Sequence, residues 1–280
     1  MSLVLAVLLQ VGPNPMGTPS TPLPPELLER TPRQTVAPPP PPDLPAKLRE
    51  CLDAIYVDPA AGLTRADEWV ATATSADKPL ALRCRGTALV ALQRWDEAEP
   101  AFAAASQATP AANHEARARL AAMAGNAALA KGSHDAALTH FDKARADALA
   151  GGNKMLAGDI QVDRSRALVG LGRKDEAAMA LDEARNTSPD NAEAWLLSAT
   201  LSRQNGDLSK AQSQIEQALG RAPTNPEIGL EAGVIAVLAG RDDSARRSWQ
   251  SVVRIAPGTP AADKAAGYLA QLDETPAVKP

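Results

Sequence analysis

The sequence predicts an all-α fold, an α-solenoid of helical hairpins stacked in an array. Three observations predict it. Pro189, Pro223 and Pro257 stand 34 residues apart, and Gly172, Gly206 and Gly240 keep the same period. Ala177, Ala211 and Ala245 repeat with them, as do Leu181, Ile215 and Trp249. A fixed period of this length marks stacked supersecondary units, each burying its apolar face on its neighbours. Hydrophobic residues make up 45% of the 280 but aromatics only 3%, so the core must be built of small aliphatic side chains that let helices approach closely.

Residues 1–11 contain an apolar run from Leu3 to Val11. It has the flavour of a secretion signal but lacks a preceding Lys or Arg and a following A-x-A site. The other reading is a plain apolar terminus. From 12 to 45 the composition changes, with thirteen of the 24 prolines and the run Pro38 to Pro42. Proline fixes φ and removes a backbone donor, so this stretch is expected to be a disordered, extended linker. A repeat domain follows over 46–272, with hairpins expected at about 47–78, 79–112, 118–151, 158–191, 192–225 and 226–259. The first is degenerate. Residues 113–117 and 152–157 interrupt the period and should lengthen helices or loops. A final helix over 260–272 should cap the last apolar face, and 273–280 is expected to be a disordered tail.

The hairpin at 192–225 shows why these residues fold so. Its first helix should end before Gly206, which suits the left-handed position past a helix end. Asp207 then offers a side-chain oxygen to start the second helix. Ala211, Ile215 and Ala218 form one apolar stripe, and Pro223 stops it. Ala199 and Ala211 are small where the two helices should cross.

These residues resemble the tetratricopeptide repeat family. Its pattern has an aromatic and a small residue in the first helix, Gly at the turn, then Ala, a large apolar residue, Ala and Pro. Trp195, Ala199, Gly206, Ala211, Ile215, Ala218 and Pro223 supply that set in order. Gly233, Gly240, Ala245, Trp249 and Pro257 supply most of it again, as do Gly125, Gly132, Ala137, Phe141 and Ala144. Gly86, Trp95, Ala98, Phe102, Ala105 and Pro110 do so once more. The resemblance implies a right-handed superhelix whose first helices line a concave face. It also makes the tryptophans packing residues.

The same resemblance places partner-binding residues on that face. Carried over position by position, they are Arg83, Thr87 and Val90, then Ala122, Asn126 and Leu129, then Val162, Arg166 and Val169. Leu196, Thr200 and Arg203 follow, with Leu230, Val234 and Val237 last. Such a groove is largely aliphatic with arginines spaced along it. It suits an amphipathic helix or an extended apolar segment bearing acidic groups. One subgroup of the family grips the terminal carboxylate of chaperone tails with a set of Lys, Asn and Arg. The matching positions here are Arg83, Thr87, Met123, Asp159 and Asp163. The last two have the wrong sign, so that role is disfavoured.

Nothing in the sequence assembles a catalytic, cofactor or metal site. The three histidines are His114, His134 and His140. His114 and Glu115 begin a zinc-protease motif, but Ala118 stands where its second His belongs. The others, six residues apart, share no helix face and read as solvated. Gly170, Gly172 and Lys174 lack phosphate-loop spacing. A net charge of −4 gives no basic footprint for nucleic acid, and no apolar run approaches a membrane span.

Cys51 and Cys84 are the only cysteines, 33 residues apart. They fall at nearly equivalent positions of adjacent first helices, where the thiols could meet. They read either as a disulfide or as two buried free thiols, and the disulfide depends on secretion. The expected function is a non-enzymatic scaffold or adaptor that presents its groove to a segment of a partner protein. The alternative is a self-associating structural module. The linker and the cysteines favour a periplasmic or secreted location over a cytoplasmic one.

Overall fold

The computed structural model describes residues 44–274. The apolar segment 1–11, nearly all of the expected linker at 12–45 and the tail beyond 274 lie outside the described residues. Among the described residues there are thirteen α-helices and no strand. They fall into two compact units, 44–188 and 189–274.

The N-terminal unit holds α1 (Ala46–Val57), α2 (Pro59–Thr72), α3 (Lys78–Ala91), α4 (Trp95–Ala108), α5 (His114–Ala130), α6 (His134–Ala150), α7 (Lys154–Gly170) and α8 (Lys174–Thr187). Each packs on the next. The helix α1 buries Leu48, Cys51 and Ile55 from a single stripe. Asp58 alone separates it from α2, and its carboxylate accepts from the Ala60 and Ala61 amides at 2.9 and 3.2 Å. That cap satisfies orphan donors of the new helix. Asn113 and Asn153 cap α5 and α7 in the same way. The residues that interrupt the period lengthen helices: α5, α6 and α7 are each 17 residues, against 14 for α3 and α4.

The C-terminal unit holds α9 (Ala192–Gln204), α10 (Leu208–Arg221), α11 (Pro226–Leu238), α12 (Asp242–Ile255) and α13 (Pro260–Glu274). Asn191, Asp207 and Asn225 cap the first three. Ala199, Ala211, Ile215 and Ala218 are wholly buried in one cluster, so the small pair does sit where α9 and α10 meet. The last helix, α13, lays Ala261, Ala262 and Ala265 against Trp249 and Val252. Its Tyr268 ring lies 5.1 Å from Trp249. Trp249 is in the core as expected, whereas Trp195 is only half-buried. The Trp195 indole donates to the Pro189 carbonyl, and the Arg221 guanidinium covers its ring.

One packing rule recurs in both units. A small residue of the first helix faces a large one sixteen positions later: Gly86 and Phe102, Gly125 and Phe141, Gly233 and Trp249. A Cβ on Gly86 or Gly125 would lie 2.6 Å from the facing ring, nearer than carbon atoms approach. Ser165 and Leu181, and Ala199 and Ile215, hold the same positions with a larger first member and a smaller second one. The turns inside the hairpins also repeat. Gly132, Gly172, Gly206 and Gly240 all have φ between 71° and 81°. Gln93 takes this place in the α3–α4 turn at φ 57°, where its Cβ is disfavoured.

Candidate functional site

The first helices α3, α5 and α7 of the N-terminal unit enclose a groove of about 710 Å³. Its apolar surface comes from Pro79, Leu80, Leu120, Met123, Leu156 and Ile160. Leu120 and Met123 on α5, and Leu156 and Ile160 on α7, are each about one helical turn apart, while Pro79 and Leu80 are neighbours at the start of α3; Leu80 and Met123 are half-buried and the other four are buried. The α4–α5 connection, with Thr109, Pro110 and Asn113, raises a rim at the end where these helices begin. Its charged lining is Arg83 on α3, Arg119 on α5, and Asp159 and Asp163 on α7.

The charges are arranged unequally. Asp163 accepts from Asn126 Nδ2 at 3.2 Å and pairs with Arg166. Arg119 donates to Glu115 at 2.8 and 3.0 Å. Arg83 has no such neighbour among the described residues: its Nε is sealed from solvent and meets no acceptor. Burial, with the added repulsion of Arg119, pulls its guanidinium below the ordinary arginine range. The desolvation of a cation without a nearby anion is the physical cause.

The sequence-derived concave residues fall in different settings. Arg83 and Ala122 line the groove. Thr87 spends its hydroxyl on the Arg83 carbonyl at 2.9 Å, and Asn126 bridges α5 to α7 through Asp163. Leu129 and Leu196 are half-buried, and Val169 is exposed. Arg166 is held by Asp163, and Arg203 by a two-point pair with Glu231 at 2.6 and 3.3 Å. Three residues differ from expectation because their side chains are in the core. Val162 is 2% exposed, because α7 buries residues around most of its circumference. Leu230 and Val234, each 8% exposed, lie in the cluster that the alanines of α13 complete.

The floor residues were missed by mapping one helix row. They lie about one turn earlier along each first helix than the row carried over, Leu80 before Arg83 and Met123 before Asn126. The signal available in the sequence was Pro110, in the loop that forms the rim.

The structure places the Cys51 and Cys84 sulfurs in bonding contact, with Cα atoms 6.3 Å apart, inside the span a disulfide bridges. The pair lies in a core with Leu48, Trp69 and Leu89. The histidines are not simply solvated: His140 is half-buried and meets Glu99 at 3.1 Å, with Lys131 on the same carboxylate. Among the described residues no cluster of His, Cys, Asp or Glu could hold a metal, and no helix is long and apolar enough to cross a membrane.

Comparison with known proteins agrees with the repeat fold. Residues 84–152, 162–211 and 198–260 match the profile of the tetratricopeptide repeat family. A TPR repeat-containing protein of Rhizobium etli is 33% identical over 101 residues, covering 35% of this chain and 48% of that protein. Tetratricopeptide repeat protein 36 of Bos taurus is 33% identical over 106 residues, 34% of this chain and 56% of that protein. The chain thus spans about half the length of these curated relatives. Among solved structures, PilW, a widely conserved type IV pilus biogenesis factor, superposes with a TM-score of 0.64 at 16% identity. That match covers 79% of this chain and 96% of PilW. PilF of Pseudomonas aeruginosa gives 0.60 at 11% identity, over 80% and 96%. At these identities the likeness is one of fold.

Proposed function

The chain belongs to the tetratricopeptide repeat family, and from that membership we propose that it is a non-enzymatic scaffold binding a segment of a partner protein in the groove of α3, α5 and α7. The observation that carries this reading is the groove itself: an apolar floor from three helices, a loop rim at one end and few polar groups set in it. Grooves of this kind take an extended segment or the apolar face of a helix. Binding needs no bond chemistry; a rigid surface presented on packed helices is enough.

The proposed place of action is the periplasm. The apolar run at 1–11, the proline-rich stretch after it and the contact of Cys51 with Cys84 support it, since disulfides persist in oxidising compartments. We take the two thiols to be joined there. Alkylation of thiols in separated periplasm and cytosol tests the placement. Blocked thiols in the periplasmic fraction support it, and free thiols in a cytosolic chain contradict it. Self-association is the alternative, and exposed Tyr56 and Val57 at the end of α1 favour it. Light scattering across concentrations decides: a monomer throughout removes it.

The binding reading is tested by photo-crosslinking in cells. A photoreactive residue at Leu80 or Met123 should give adducts with one partner. The same group at Met179, 71% exposed on α8, should give none. Equal adducts at all three positions would contradict the proposal.

A further inference from the structure

We infer that the partner segment carries a single carboxylate within an otherwise apolar stretch, and that this carboxylate sits on Arg83. The inference rests on the reading that the groove of α3, α5 and α7 binds a protein segment.

Three observations lead to it. First, Arg83 lines the groove with its Nε buried and unbonded among the described residues. A buried donor left unmade is costly, and a buried cation more so unless it is paired. An arriving carboxylate can meet the terminal nitrogens of the half-buried guanidinium in a planar, two-point geometry and offset the desolvation of its charge. Second, the remaining cations near it are engaged: Arg119 by Glu115, Arg166 by Asp163. Third, the charged lining from α7 is acidic, with Asp159 and Asp163. A second anion on the ligand would meet like charge there. The segment therefore has a direction, with its acid at α3 and neutral or basic residues toward α7. This arrangement separates the site from one that grips two carboxylates of a chain end. Such a site would need cations where the two aspartates stand.

The test uses the full chain and an array of short, acetylated and amidated peptides. Each has Leu, Ala, Val and Ser in varied order around one central residue, which is Glu, Gln or Lys. Blocked ends remove terminal charge as a source of binding. The best Glu peptide should bind about tenfold tighter than its Gln twin, the scale expected for a desolvated charge pair. Arg83→Met should bring the Glu and Gln twins to equal affinity, with the apolar contribution retained. Arg83→Glu should prefer the Lys twin. Melting curves confirm that both variants are folded. Equal binding of Glu and Gln by the unaltered chain overturns the inference, as does a preference that survives Arg83→Met.

The failure of this inference is distinguishable from that of the groove. If all twins bind alike and Ala122→Trp blocks them, the groove stands and the carboxylate does not. If no peptide in the array binds, both fall. A dimer that Arg83→Met dissolves would make a second copy the occupant. Tighter peptide binding after Glu26→Gln and Glu29→Gln would make it the chain's own N-terminal residues. Either result overturns the partner segment.

Discussion

The two units use the same hairpin and treat their first helices differently. In the N-terminal unit, Leu80 of α3 and Met123 of α5 stay only half-buried at a groove, and Arg83 meets no acceptor among the described residues. In the C-terminal unit, Arg203 is locked by Glu231, with the two side chains 11% and 13% exposed. There α13 covers Leu230 and Val234. Packing satisfied from within leaves nothing for a partner to supply. The difference shows that a repeat's position on a first helix does not make it a binding residue; what matters is whether neighbouring helices have already used it.

The largest expected effect concerns what holds each unit's outer helix. In the N-terminal unit it is the Cys51–Cys84 pair, which ties α1 to α3, the helix bearing Arg83. If these are joined, Cys84→Ala should cost about 3–4 kcal/mol in denaturant unfolding of the oxidised chain, the value for closing a loop of this length. The same substitution should cost much less under reducing conditions. An equal cost in both would break this side of the comparison.

Next comes the contrast of the arginines. Glu231→Gln leaves Arg203 nearly buried without its anion and should lower stability by about 1.5–3 kcal/mol. Arg83→Met removes no internal partner and relieves an unbonded buried donor, so it should leave stability unchanged or raise it by up to about 1–3 kcal/mol. Urea midpoints of the two variants, measured side by side, sharpen the comparison. A large loss from Arg83→Met would mean that the residue is structural.

The packing pairs give a similar or smaller effect. Gly125→Ala should destabilise by about 1–3 kcal/mol, because the new methyl meets the Phe141 ring and overpacking carries that cost. Adding Phe141→Ile should restore much of it, since the pair then matches Ala199 and Ile215 of the C-terminal unit. No rescue in thermal melts would show that the pairs are not interchangeable.

The smallest effect lies in a turn. Gln93 adopts a left-handed conformation that Gly206 holds in the other unit. Gln93→Gly should stabilise by up to about 1 kcal/mol, and Gly206→Ala should destabilise by a similar amount. Melting temperatures moving in the same direction would contradict this account of the turn.

The fold was legible because its determinants are local and periodic. Proline stops, turn glycines and small–large pairs sixteen residues apart recur in the sequence and recur in space. Gln93 hid one turn because a glutamine carries no turn signal. The groove was only partly legible. Arg83 and Ala122 could be placed by repeat position, but the lining by Leu80, Met123 and Ile160 comes from the way three helices pack together. The pairing of Arg203 with Glu231 spans 28 residues, and no local pattern announces it. The burial of Leu230 and Val234 is set by a helix that follows the last repeat. Burial and charge pairing between helices are tertiary facts, and those decide the site.

Hydrogen exchange of the full chain, with and without the tightest Glu peptide of the array, tests the central claim most directly. The account predicts slowed exchange in the first turns of α3, α5 and α7 and no change in α9 and α11. Protection in α9 and α11 with none in α3 would place binding in the C-terminal unit and contradict it.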